Sequence, residues 1–367
     1  MAQSRKDDHI RLAAAQQEQL TGAPNAFDDV DFIHHALAGM NANDVDISAR
    51  IGPWTMPSPI YINGMTGGTD TALPINTALA KAAAATGVPM ASGSVGLALD
   101  DPATAESFTV IREHNPDGIV WANLGAGRTL DHAKAAVELL DADGLQIHVN
   151  PIQETVMPEG SRNFSAWLEL IEDIVSGLDV PVIVKEVGFG LSAKTVQQLY
   201  DIGVRIVDVA GSGGTNFARI ENDRTAHPSS VIDAHARFDW LEPMGLTAID
   251  CLLDIAGVRE LATQPDLTVV ASGGVRNPLD VVRAQALGAS AVGLAGVMLR
   301  VAMADGAAGV TEVINLFTTR IRQLYALLGA ADAHALGSTD VVITGPSAEK
   351  ARGRNIDVTR FADRVRI

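Results

Sequence analysis

Cysteine is almost absent from this chain. Cys251 is the only one in 367 residues, which excludes an intrachain disulfide and a metal cage built from cysteines. Aromatic residues make up only 4%, so the core has to be assembled from Ala, Val, Leu and Ile. That suits a helix-wrapped parallel sheet better than an aromatic-rich sandwich of strands. Positive charge is scarce as well. A formal charge of −17 repels nucleic acid and anionic membrane surfaces, while leaving room for a local basic pocket around a phosphorylated metabolite. No long apolar run is present: the most apolar segment, 288–301, is broken by Ser290 and Arg300 and reads as a strand entering a helix. The opening MAQSRKDDHI has no apolar stretch of the secretory type, and the expectation is a soluble protein of a reducing cytoplasm.

What is present is glycine, 34 of them, and a repeating theme. Eight short apolar runs lie at 60–63, 90–92, 119–123, 145–150, 182–186, 205–210, 268–272 and 291–294. Each ends in a Gly/Asn/Ser-rich turn, and most are followed by an Ala/Leu-rich helical stretch, as at 73–85, 131–140, 164–176, 193–202 and 278–286. Eight β/α units in one series predict an α/β fold of the TIM (β/α)8 barrel type, with a doubly wound open sheet as the alternative. The expected division is an N-terminal extension over 1–58 packing on the barrel or a neighbouring subunit, a barrel over 59–345 and a tail over 346–367, of which 352–367 alternates charges and is expected to be ordered by a partner subunit. The extension holds a helix at 7–18 and a breaker at 21–25, and a long loop, 211–240, follows the sixth strand.

The fourth run raises a chemical question. In GLQIHVNPIQETVMPEG, Leu145, Ile147 and Val149 share one face of a strand, and Gln146, His148 and Asn150 share the other. Gln153 and Glu154 follow just past its end. Buried polar groups left unpaired cost about 1–3 kcal/mol each, so these either satisfy one another or surround a polar ligand. His148 by itself reads equally well as a neutral core histidine. The pattern recurs at Asn123, which ends the third strand, and at Lys185, which interrupts the apolar fifth. Lys185 either pairs with a carboxylate such as Asp208 or meets an anionic ligand in a barrel mouth. Glycine-rich turns follow strands one (64–68), six (211–215) and seven (272–278, with Arg276), and the eighth strand ends in 293–296. Glycines after strands seven and eight let backbone N–H groups close on a phosphate. Glu154 beside an amide suits Mg²⁺, which keeps several waters, although a helix-capping role is also open to it. Arg5 and Lys6 form a basic pair that would serve a diphosphate if the N-terminus folds over the mouth. Cys251, among apolar neighbours, reads as packing.

Taken together, these stretches resemble the type 2 isopentenyl-diphosphate Δ-isomerases, which are FMN-dependent. The matching pieces are RKDDHI at 5–10, MTGG at 65–68, ANLGA at 122–126, HVNPIQE at 148–154, PEG at 158–160, VKEVGFG at 184–190, GGT at 213–215 and ASGGVR at 271–276. The resemblance implies a flavin held by Gly64, Met65, Thr66, Ser94, Asn123, Lys185 and Thr215. It implies a flavin phosphate among Gly273, Gly274, Val275, Arg276, Ala295 and Gly296. Arg5, Lys6, Ser94, Val95, Gly96 and Gln153 would meet the prenyl diphosphate, with Gln153, His148 and Asn150 at the reacting end and Glu154 on Mg²⁺. NAD(P)H would serve to reduce the flavin, and a homo-oligomer, tetramer or octamer, is expected. Two departures stand out. The turn after the second strand is Gly93-Ser94-Val95-Gly96, without the arginine the family usually carries there, and Ala210 stands where a serine is usual. Two other readings remain. One is an FMN-dependent 2-hydroxyacid oxidase, for which His227 is the candidate base; the other is a non-catalytic binder of flavin or prenyl phosphate.

Overall fold

The computed structural model describes residues 2–20, 22–224, 232 and 237–364. All eight apolar runs form strands: β1 (Ile60–Ile62), β2 (Met90–Ser94), β3 (Val120–Gly125), β4 (Gly144–Val149), β5 (Val182–Glu186), β6 (Ile206–Asp208), β7 (Thr268–Ser272) and β8 (Val292–Leu294). They pair in chain order, all in parallel, and β8 returns to β1 through Val292 opposite Ile60 and Leu294 opposite Ile62. That last pairing closes the sheet into a barrel and removes the open-sheet alternative. The helices at Ala72–Thr86, Leu130–Leu140, Trp167–Gly177, Ala193–Asp201 and Pro278–Ala286 lie where apolar periodicity predicts them, within three residues at each end.

The alternation along each strand decides what faces the barrel axis. Leu145, Ile147, Val182 and Val184 join the large core between sheet and helices. Tyr61, Trp121, Ile183, Ile206 and Val270 point inward and form a separate apolar cluster with Ala49, Ile51 and Met56. Those last three come from an antiparallel hairpin, Ala49–Ile51 with Trp54–Met56, which stoppers the end of the barrel where the strands begin. Trp54 and Tyr61 flank Trp121 at ring separations of 5.2 and 5.3 Å. Gly144 permits this closure, since a Cβ there would stand 2.7 Å from the Trp54 ring. With that end filled by several of the chain's few aromatics, the polar inward residues occupy the opposite rim.

Four helices matter for that rim: α1 (Ala2–Leu20), α2 (Pro151–Val156), α3 (Phe217–Arg224) and α4 (Gly296–Leu328). α1 extends beyond the expected 7–18 at both ends, because nothing between residues 2 and 6 breaks a helix, and it buries Ile10, Ala13 and Gln16. The chain after α1 pairs Val30–Phe32 antiparallel with Val341–Ile343, which fastens the extension to the end of the barrel sequence. The tail packs against the barrel of its own chain. Helix Gly345–Gly353 lies on the barrel's own helix Ala248–Gly257, with Lys350 bonded to Asp250 at 2.6 Å and Arg354 to Asp254 at 2.8 Å, and Phe361 is buried. Within 352–367, Arg354 meets the buried carboxylate of Asp254, and the Arg364 guanidinium reaches the Ala286 carbonyl. Among the described residues, no helix is long and apolar enough to cross a membrane.

Candidate active site

The carboxyl ends of the strands open into a cavity of about 730 Å³. Of the site residues expected from sequence, all but one line it: Arg5, Lys6, Gly64, Met65, Thr66, Ser94, Gly96, Asn123, His148, Asn150, Gln153, Glu154, Lys185, Thr215, Gly273, Gly274, Val275, Arg276, Ala295 and Gly296. The exception is Val95. Its side chain is fully buried in the core between sheet and helices, because the residues on either side of it are the ones that face the cavity.

The floor of the cavity answers the question raised by β4. Its inward polar residues satisfy one another in a connected network. Asn123 Nδ2 donates to Gln146 Oε1 at 2.8 Å, Gln146 Nε2 donates to Asn63 Oδ1 at 3.1 Å, and Asn63 Nδ2 donates to Asp208 at 2.8 Å. Asp208 also accepts from Tyr61 (2.7 Å), Ser272 (2.8 Å) and the Ala210 amide (3.0 Å), and it is fully buried. Lys185 stands opposite Asp208 in the register of β5 and β6 but donates to its neighbour's carbonyl, Glu186 O, at 2.8 Å. Burial lowers the Lys185 pKa, and the carboxylates of Asp208 and Glu186 oppose that shift. Burial also drives His148 down to about 3, helped by the charges of Lys185 and Lys6. His148 is therefore a neutral imidazole at physiological pH.

α1 closes the cavity from above. It carries Lys6 into a half-buried position where desolvation, and then the charge of Arg5, pull its pKa down to about 8 against the attraction of Glu221. Arg5 reaches Glu159 at 3.1 Å. Sequence reasoning missed Glu221. It lies on α3 and accepts from His9 at 2.8 Å and from Gln153 at 2.9 Å, with Arg224 as a third partner. Burial works to raise the Glu221 carboxyl, but His9, Gln153 and Arg224 together hold it at about 2. A carboxylate inside a loop-borne helix carries no pattern that marks it as inward, so nothing in the sequence points to it. Gln153 is thus clamped between Glu221 and Asn150, whose Nδ2 donates to it at 3.0 Å. Glu154, in the first turn of α2, accepts from the Ser161 amide at 2.7 Å and distantly from Asn150 at 3.4 Å.

Arg128 was also missed. It follows β3, lines the cavity, and forms two bonds to Asp100 at 2.9 and 2.6 Å. A Cβ added at Gly96 would lie 3.3 Å from its Nη2, so the turn whose sequence lacks an arginine has one beside it in space. Arg276 lines the cavity as expected by position, with its side chain already engaged. Its guanidinium is taken up by Asp28 (2.6 and 2.8 Å) and Asp280 (2.9 and 3.0 Å), and it pins the segment after α1 to the barrel. A phosphate here would be met chiefly by backbone. Gly213, Gly273 and Gly274 hold φ of 113°, 92° and 78°, and a Cβ at Gly214 would come within 2.8 Å of Gly274 N. α4 begins at Gly296 on the same rim and directs its unpaired first-turn N–H groups there. Thr66 Oγ1, beside the cavity, is buried with no hydrogen-bond partner among the described residues. An orphaned hydroxyl, a glycine cradle and buried amides fit a flat, polar, phosphorylated ring.

The fit to a metal is narrower. Among the described residues no group of three or more His, Cys, Asp or Glu side chains is placed to hold an ion. Mg²⁺ on Glu154 would have to complete its shell from ligand and water oxygens, as that ion commonly does. His227, the base an oxidase would need, lies outside the described residues. Cys251 is fully buried and burial raises its thiol well above the ordinary range, so it is packing and not a nucleophile.

The profile of the FMN-dependent dehydrogenases matches residues 148–343, just over half the chain. Solved structures similar in fold include a mandelate oxidase variant carrying an FMN adduct (TM-score 0.62, 21% identity, 92% of each chain). Another is a flavocytochrome b2 variant with sulfite bound (TM-score 0.65, 22% identity, 88% of this chain and 77% of that one). At those identities the likeness is one of architecture. Sequence relatives are much nearer. An isopentenyl-diphosphate delta-isomerase of Nocardia farcinica is 49% identical over 99% of this chain and 96% of its own. Those of a Streptomyces species and of Listeria monocytogenes are 46% and 40% identical, over 98% and 99% of this chain and 95% and 98% of theirs. With identity of that depth over nearly the whole of each chain, the chain belongs to the isopentenyl-diphosphate delta-isomerase family.

Proposed function

We propose that the protein interconverts isopentenyl diphosphate and dimethylallyl diphosphate, with reduced FMN in the cavity and Mg²⁺ on the diphosphate. The observation that carries this reading is the meeting of Gln153 and Glu154 with Lys6 and Arg5 over one cavity, in a chain whose near full-length relatives bear that activity in their names.

Moving a double bond by one position adds a proton at one carbon and removes one from another, with no carbonyl nearby to ease either step. The reduced flavin, when bound, supplies the proton donor and acceptor, with no net redox change. The protein's own residues orient and exclude water. Arg5 and Lys6 would grip the diphosphate from α1, and Arg128 from the loop after β3. Glu154 would hold Mg²⁺ against the same oxygens, with the ion's charge fixing the tail in register. Lys185, aimed at the cavity from β5, would counter negative charge on the ring. Gln153 and Asn150, immobilised by Glu221 and by each other, would set the reacting end against the flavin face. α1 over the mouth keeps water from the charge that develops on the alkene.

NAD(P)H is the proposed source of electrons, needed only to prime the flavin. A homo-oligomer, tetramer or octamer, belongs to the same proposal, since the exposed Leu37, Leu316 and Leu327 suit burial between copies. So does a cytoplasmic location, in keeping with the lone buried thiol.

The test begins with the colour of the purified protein, followed by anaerobic reduction and NMR of added isopentenyl diphosphate. Dimethylallyl diphosphate should appear only with reduced flavin and Mg²⁺ together. A colourless protein that ignores added FMN, or one that oxidises a 2-hydroxyacid instead, would end the proposal.

A further inference from the structure

The polar floor of the barrel runs in one direction only. Its head is Asn63, whose amide is oriented by two independent contacts. The Gly64 backbone N–H, which can only donate, bonds to Asn63 Oδ1 at 2.9 Å, and the Asp208 carboxylate accepts from Asn63 Nδ2 at 2.8 Å. Each later member inherits that orientation. Asn63 Oδ1 accepts from Gln146 Nε2, so Gln146 turns its oxygen to Asn123. Asn123 gives its nitrogen to Gln146, so its oxygen, Oδ1, faces His148 Nδ1 at 2.8 Å. An amide oxygen cannot donate. His148 Nδ1 must therefore carry the hydrogen.

We propose that Asn63 and Gln146 are positioning residues that lock His148 as the Nδ1–H tautomer, with the bare Nε2 facing the cavity. Several observations agree. Gln146 is completely buried, and Asn63, which also lines the cavity, is nearly so. Nε2 has no hydrogen-bond partner among the described residues, and His148 lines the cavity. Burial and the nearby ammonium groups of Lys185 and Lys6 keep the ring neutral. The consequence is chemical. A neutral ring with a bare Nε2 offers a lone pair to its ligand, so it accepts a hydrogen bond from an N–H or O–H, such as water on a metal. It does not act as a cation toward a bare oxyanion. Any diphosphate oxygen that settles there brings a proton or a bridging water.

This inference goes beyond the isomerase reading and does not need it, since the tautomer is read with no substrate present. The experiment is a long-range proton–nitrogen correlation on ¹⁵N-histidine-labelled, flavin-loaded protein at neutral pH. His148 is assigned as the ring whose signals vanish in His148→Gln. The expected pattern is a protonated Nδ1 and an unprotonated Nε2. A protonated Nε2, or averaged signals, would overturn the proposal. Two substitutions at one buried position then test the chain itself. Gln146→Glu keeps an oxygen to accept from Asn123 and, protonated at this dry site, an O–H to donate to Asn63 Oδ1, so the wild-type pattern should persist. Gln146→Met packs well but severs the chain, and the two nitrogens should average as Asn123 becomes free to flip. Packing alone predicts the reverse, because methionine suits a dry site better than a carboxyl. Persistence of the pattern in Gln146→Met, or its loss in both variants, would remove Gln146 from the role. If neither variant folds, the wild-type spectrum alone still decides the tautomer.

Discussion

His9 on α1 and Glu221 on α3 meet at 2.8 Å although 212 positions separate them, and the same Glu221 oxygen accepts from Gln153. One carboxylate thus couples the helix that closes the cavity to the amide at its reacting end. Removing one member of a buried pair costs about 3–5 kcal/mol, mostly from the polar groups left behind. Glu221→Gln should therefore lower the melting temperature and raise the KM for the diphosphate by roughly ten-fold or more, at least ~1.4 kcal/mol of that cost. Flavin should stay bound. Thermal melts and steady-state kinetics on one preparation check both; an unchanged KM would separate α1 from substrate binding.

Arg128 supplies positive charge where the turn after β2 has none. A charge-assisted hydrogen bond to a ligand is worth about 1.5–3 kcal/mol. Arg128→Ala is expected to raise the KM by about ten-fold or more, with Arg128→Lys recovering only part, because lysine cannot reproduce the forked geometry that Asp100 holds in place. Competition by inorganic pyrophosphate gives the same comparison without turnover.

Lys6 gives the pH dependence a sign. Burial, then the charge of Arg5, depress its pKa to about 8. Its protonated form is the one that attracts a diphosphate, so affinity in the free enzyme should be full below that value and fall as pH rises through it. The bound anion stabilises the ammonium, so the limb should move to higher pH in the complex. Lys6→Arg keeps the charge and should abolish the alkaline limb in kcat/KM; a limb that stays in place belongs to another group.

Glu154→Gln should weaken the response of activity to added Mg²⁺ while leaving flavin content unchanged. Loss of FMN with an intact Mg²⁺ response would reassign Glu154 to the flavin.

Lys185→Ala removes the buried ammonium that β5 directs at the cavity. The expected result is weaker flavin retention and a shifted absorption spectrum, measured by dialysis and difference spectroscopy. A variant with wild-type colour and affinity would leave Lys185 as a structural partner of Asp208.

Strand alternation, helical periodicity and glycine turns at strand ends are local properties. They sufficed for eight strands, the helices around them and a barrel whose function gathers at one rim. The inward set Gln146, His148 and Asn150 was legible for the same reason, since side chains in a strand change face at every residue. What the chain by itself could not reveal depends on contacts between distant segments. Glu221 and Arg128 sit in loop-borne positions with no period to mark their direction, and they became site residues only when α3 and the loop after β3 came to rest on the rim. Arg276 was legible beside its glycine-rich neighbours, but the hold of Asp28, 248 positions away, on its guanidinium was not. The proton on His148 is the furthest case. Five side chains from four strands have to meet before their donors and acceptors leave a single consistent order, because a hydrogen bond has a direction only when both of its ends are in place.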